Sequence, residues 1–164
     1  LFGLIKKKAL MIKINVILSN IIWKKYLKNP SSFIDRKVSL INKKNKSFKK
    51  NILICSLLLS DSLEIKRLNK KFRKKNKSTD VLSFPFHKKE NLRRLLKKEK
   101  EIYLGDIIIN LNKIKNKKNI IKFRNEFNKL WIHGLTHLFG HKHKKDKDFN
   151  IMNKIENEYL NHIK

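Results

Sequence analysis

The sequence predicts one α+β domain, a small mixed β-sheet packed with helices, and three observations carry that prediction. Short apolar runs rich in β-branched residues alternate with longer stretches of helical periodicity, so strands and helices are interleaved along the chain. A length of 164 residues suits a single domain with a core of its own. The chain closes on two helical patterns, and the first of them runs into WIHGLTHLFGHKH (131–143), which packs four of the six histidines into eleven residues.

Residues 1–10, ahead of Met11, read as an N-terminal extension without function, and 11–164 as the domain. Residues 12–18 alternate and are β-branched, which predicts the first strand. Asn29-Pro30-Ser31-Ser32 opens a helix with Phe33, Val38 and Ile41 on its apolar side, ending in a Lys/Asn-rich loop over 42–50. Residues 51–59, NILICSLLL, are short and continuously apolar, the pattern of a strand buried on both faces. Cys55 within it reads as a packed core residue, since nothing nearby would lower its pKa. Asp61 and Glu64 form a capping-box pattern, opening a helix that presents Leu63, Ile65, Leu68 and Phe72 to the sheet and ends near Arg73.

Ser78-Thr79-Asp80 precedes a short strand over 81–86 that Pro85 interrupts, and the charged stretch 87–100 reads as a loop or short helix. Residues 101–110 form the next strand, with Gly105-Asp106 breaking its apolar pattern. A helical region follows over 111–129, with Ile114, Ile120, Ile121, Phe127 and Leu130 as its buried side. Residues 148–163 form the last helix, with Phe149, Met152, Ile155, Tyr159 and Leu160 on one face. His87 and His162 are expected in solvent.

The formal net charge is +29. Of the 42 basic residues only six are arginine, and Lys, Asn and Ile abound throughout, as an AT-rich coding sequence would produce. The charge therefore discriminates weakly among polyanionic partners, although long-range attraction to them follows whatever its origin. One cysteine excludes an internal disulfide and fits a reducing compartment. Lysines 6, 7, 8 and 13 interrupt the N-terminal apolar segments, no small-residue cleavage site follows, and no run approaches the ~18 apolar residues of a spanning helix. A cytoplasmic protein without a membrane partner is expected.

His133 and His137 are four apart in a helical, apolar context, so both imidazoles leave one face a turn apart. Gly140 supplies a helix stop, after which the chain can return His143 over the same edge. H-x3-H-x5-H is thus a candidate three-histidine site, and imidazole nitrogens favour zinc among common divalent ions. Three protein ligands leave a position open for water, the arrangement of catalytic sites. Gly134 stands where the zinc-protease pattern H-E-x-x-H has its glutamate, which argues against that chemistry.

HGLTHLFGHKH resembles the H-G-x-x-H-L-x-G-x-x-H signature of the YbeY family of bacterial metal-dependent endoribonucleases. LNKKFRKKNKSTDVLSFPF (68–86) and YLGDIII (103–109) resemble further segments of that family, in the same order and at similar distances. The family has Tyr-Asp ahead of its third ligand, where this chain has His141-Lys142; His143 holds the matching ligand position. The resemblance implies a zincin-like hydrolase architecture with a basic cleft and one Zn2+ per chain held by His133, His137 and His143. It also singles out Arg73, at the arginine of an L-N-x-x-aromatic-R segment, as a fork of donors for phosphate. The 81–86 strand is then an edge beside the cleft, and Asp106 a carboxylate that orients a ligand histidine or holds the nearby loop.

The activity implied is single-strand-specific endoribonuclease action in ribosomal RNA maturation, at the 3′ end of small-subunit rRNA, and in late ribosome quality control. The partners implied are single-stranded RNA, ribosomal RNA and the small subunit, with no small-molecule cofactor. Two rival readings are a zinc-dependent peptidase-like hydrolase and a non-catalytic, RNA-binding ribosome assembly factor.

Overall fold

A computed structural model describes residues 9–44, 49–141 and 146–164. Strand β1 (Ala9–Leu18) leads through a 3-10 turn (Ile21–Trp23) into α1 (Lys24–Leu27) and α2 (Pro30–Lys44). Then come β2 (Lys49–Ser60), α3 (Ser62–Arg73), β3 (Val81–Pro85), α4 (Lys89–Lys98), β4 (Glu101–Asn110), a 3-10 turn (Leu111–Lys113), α5 (Ile120–Leu138) and α6 (Asp146–His162). The four strands form one mixed sheet in the order β1-β2-β4-β3, the first three parallel and β3 antiparallel at the edge. The α+β expectation is met.

Ala9 and Leu10, the end of the stretch expected to be an extension, belong to β1, and Leu10 is buried in the core. Residues 1–8 lie outside those described.

Strand alternation sorts the sheet into two faces. Leu10, Ile12 and Ile14 of β1 and Leu53, Cys55, Leu57 and Leu59 of β2 point to one side, into a core closed by Trp23, by Phe33, Ile34, Val38 and Ile41 of α2, and by α5 and α6. Burial of the Cys55 thiol pushes its pKa up to about 12, as befits an inert core residue. The other face carries a smaller cluster, Ile65 of α3 with Leu82 and Ile108. Strand β2 was expected to be buried on both faces; Ile52, Ile54, Ser56 and Leu58 are only half-buried, because α3 covers part of that face.

In β4 the inward set changes phase, from Ile102 and Leu104 to Ile107 and Ile109. A bulge between the Ile54↔Tyr103 and Cys55↔Gly105 pairs inserts the extra residue that causes this. Gly105 takes φ +131°, and a Cβ there would lie 2.1 Å from the Phe84 carbonyl oxygen. The break that Gly105-Asp106 makes in the apolar pattern is thus the bulge on which edge strand β3 closes.

The helices correct several side-chain assignments. Asp61 does cap α3, accepting from the Leu63 and Glu64 N–H groups, but Glu64 turns away from the reciprocal bond and accepts from the Ser60 and Ser19 hydroxyls. Leu63 and Phe72 on α3, Ile120 and Ile121 on α5 and Phe149 on α6 are exposed rather than buried. All five lie in the first or last turn of their helices, where the periodic stripe outruns the element it packs on. His87 and His162, expected in solvent, are half-buried. Asp80 accepts from the Val81 N–H at 2.8 Å and the Thr79 hydroxyl at 2.9 Å, so this pair sets the turn into β3. Among the described residues no helix is long and apolar enough to cross a membrane.

Candidate metal centre

Helix α5 starts at Asn119, whose side chain accepts from the Ile121 and Lys122 N–H groups, and buries Phe123, Phe127, Trp131, Ile132, Leu135 and Leu138. His133 and His137 come off the flank of that stripe, half-buried. Gly134, between them, lets the helix lie directly on the sheet: a Cβ there would meet Ile107 Cγ2 at 2.6 Å and Ser83 Oγ at 3.2 Å. The glycine that replaces a protease glutamate is therefore a close-packing residue, and a glutamate would not fit.

The helix ends as the glycine predicts. Gly140 takes φ +82°, its N–H bonds the His137 carbonyl at 2.8 Å, and the His141 N–H bonds that of Thr136 at 3.3 Å, the paired capping bonds of a glycine-terminated helix. This turn carries the His141 carbonyl back to accept from His137 Nδ1 at 2.9 Å.

His133 Nδ1 donates to Glu156 Oε1 of α6 at 2.8 Å. The Thr136 hydroxyl, bonded to the His133 carbonyl, lies 3.3 Å from the same carboxylate oxygen. A carboxylate and a carbonyl only accept, so both Nδ1 atoms carry a proton, and in the neutral rings both Nε2 atoms present lone pairs. Those two Nε2 atoms face each other at 3.1 Å, with the rings near perpendicular at 88°. Two lone pairs so placed repel unless a metal ion lies between them or a proton bridges them. Nitrogens ~2.05 Å from one tetrahedral ion sit ~3.3 Å apart, so the pair fits a shared metal with almost no adjustment.

His143, the expected third ligand, lies outside the described residues. Among those described, no group of three His, Cys, Asp or Glu residues gathers as a metal cluster. His141 is buried with its Nε2 lacking a hydrogen-bond partner among the described residues. Burial, and then the charge of Lys89, push its pKa down to about 4, so this ring stays neutral.

Arg73 is exposed at the end of α3, on the other side of the sheet's edge strand from the histidine pair. Its neighbour Phe72 meets Phe84 of that strand at 5.4 Å between centroids, and the adjacent Ser83 points at Gly134. The orienting role considered for Asp106 falls to Glu156. Asp106 instead accepts from the Tyr103 hydroxyl at 2.6 Å on the α3 side of the sheet, and burial together with this bond raises the Tyr103 pKa. One signal for Glu156 was present in the sequence: a carboxylate on the buried stripe Met152, Ile155, Tyr159 needs a partner inside.

The family model described as Endoribonuclease YbeY matches residues 22–164. The Endoribonuclease YbeY of Pelagibacter ubique is 43% identical over 156 residues, 94% of this chain and 97% of the relative. That of Thermodesulfovibrio yellowstonii is 35% identical over 133 residues, 79% and 77% of the two chains. The fold is also that of a Thermotoga maritima protein solved in solution, at a TM-score of 0.57 and 24% identity, covering 92% of this chain and 89% of the other. On these matches the chain belongs to the YbeY family of endoribonucleases.

Proposed function

We propose that this endoribonuclease is metal-dependent and cuts single-stranded RNA at a centre where His133, His137 and His143 hold one zinc ion. The reading extends to ribosomal RNA maturation in the cytoplasm, with the 3′ end of small-subunit rRNA as substrate, and to late ribosome quality control. The observation that carries the metal is the facing pair of Nε2 lone pairs, each fixed by a hydrogen bond at the opposite ring nitrogen. A bound zinc would supply Lewis acidity and an activated water. The chain's own residues orient and bind. Glu156 and the His141 carbonyl hold the two imidazoles in the ligating tautomer, and Arg73 offers its guanidinium to a phosphate of the strand. Against the peptidase reading stands Gly134, whose contact with Ile107 leaves no room for a base at that position.

The test is cleavage of a labelled single-stranded RNA, with elemental analysis of the same preparation. About one zinc per chain, activity lost on chelation and regained with zinc, is the expected result. Full cleavage from protein verified free of metal would sink the metal role. Tight RNA binding without cleavage under any metal would instead favour the assembly-factor reading.

Glu156→Gln keeps the shape and removes the charge that fixes His133. Zinc affinity is expected to fall ~10–100-fold, as for other outer partners of metal-bound histidines, measured by competition with a chromophoric chelator. Unchanged affinity would remove Glu156 from the site.

A further inference from the structure

The aromatic at the end of α3 was expected to face the sheet, yet Phe72 is 58% exposed. Its ring overhangs the last residues of β3, resting edge-on against Phe84 at 5.4 Å. Lys71 Nζ lies 5.2 Å from the centroid of that ring. The same Lys71 lines a surface hollow of about 530 Å3 together with Arg67, Lys70, Lys74 and Asn76. Among the described residues no acidic side chain lines it, and the one acidic neighbour of its cations is Glu64, 3.8 Å from Arg67, which also accepts from Ser19 and Ser60.

The hollow is shaped by backbone, not only by flexible lysines. Lys74 closes α3 in the left-handed conformation, φ 58°, its N–H on the Asn69 carbonyl. The Lys75 N–H bonds that same carbonyl at 3.2 Å, and the buried Asn69 side chain donates to the Lys77 carbonyl at 2.7 Å. The turn behind the cations is therefore held in place before any ligand arrives.

We propose that the C-terminal half of α3 is a docking surface for single-stranded RNA, with backbone phosphate in the Arg67/Lys70/Lys71/Lys74 hollow and a base stacked on the open face of Phe72. It rests on the RNA-cleaving reading and adds a second contact to it, outside the histidine centre. A cation-lined hollow alone would take any polyanion. A half-open aromatic ring sharing a lysine with that hollow adds a π-face at nucleotide distance, which duplex RNA, with its bases stacked inside, cannot use. Phe72 itself rests on Phe84 of β3, so a strand held here lies beside the edge strand that packs on α5.

The experiment is fluorescence anisotropy of a short labelled single-stranded RNA on the full chain, in chelator so that cleavage does not intervene, over a range of salt. Phe72→Ala is expected to weaken binding about 5–100-fold with an unchanged salt slope, and Phe72→Trp to retain it. The triple variant Lys70→Ala/Lys71→Ala/Lys74→Ala is expected to lower the slope of log K against log salt by about 2. A matched triple on exposed lysines of and after α4, Lys97→Ala/Lys98→Ala/Lys100→Ala, should leave the slope much closer to that of the unaltered chain. Phe72→Ala binding as well as the unaltered chain, equal effects of the two triples, or equal competition by duplex RNA would each overturn the proposal while leaving RNA cleavage standing. No binding by the unaltered chain would overturn both.

Discussion

His137→Ala is expected to lose RNA cleavage by well over the ~10–100-fold that removal of an outer partner costs, and to lose zinc, while the chain stays folded. The side chain is half-buried on the flank of α5, away from the Phe127, Trp131 and Leu138 stripe, so truncation opens no core cavity. Its Nε2 is one half of the 3.1 Å pair; without it that pair is lost while His133 retains its bond to Glu156. The structural cost is the His141 carbonyl, which loses its donor at 2.9 Å, a loss of about 1–3 kcal/mol if water does not replace it. Elemental analysis, circular dichroism and cleavage on one preparation separate the effects. Zinc and activity both retained in a folded variant would remove His137 from the centre.

Gly105→Ala is expected to be the most destabilising small substitution in the sheet, by about 4 kcal/mol or more. The added methyl would lie 2.1 Å from the Phe84 carbonyl oxygen and 2.9 Å from the Phe86 nitrogen, both backbone atoms, at a φ of +131° that an L side chain rarely adopts. Relief requires β3 to leave β4, which exposes Leu82 and withdraws Ser83 from Gly134. Gly140→Ala is a useful contrast. It also sits at positive φ, but the methyl would approach no closer than 3.0 Å, to Lys89 Cβ, against 2.1 Å at Gly105, so a smaller loss is expected. Urea unfolding of both variants makes the comparison; a Gly105→Ala midpoint equal to that of the unaltered chain would show that the bulge can be rebuilt.

The parts of this molecule that were legible in the sequence are those fixed by local spacing. The four-residue step from His133 to His137 put both rings on one flank, Gly140 marked the helix stop, and the strand over 101–110 has the bounds its apolar run gave it. Periodicity, however, describes a stripe and not the length of the surface it meets. Phe72, Ile121 and Phe149 continue their stripes past the edge of the neighbouring element and so stand in water. The bulge in β4 was visible only as a disturbed pattern, because its cause is the approach of the Phe84 carbonyl from another strand. Glu156 stood out only as a carboxylate on a buried stripe, and its partner could not be read: His133 is on a different helix, and sequence spacing carries no information about which groups cross between helices.

The bond between Glu156 and His133 also has a meaning in time. Synthesis runs from the N-terminus, so the helix bearing both histidines is complete before the carboxylate that bonds the first of them exists. At about 5–20 residues per second, Glu156 is made about 1–4 s after His137. During that interval His133 has no carboxylate from α6 to set its tautomer. The order of translation therefore sets the earliest moment at which this bond between the two helices can form.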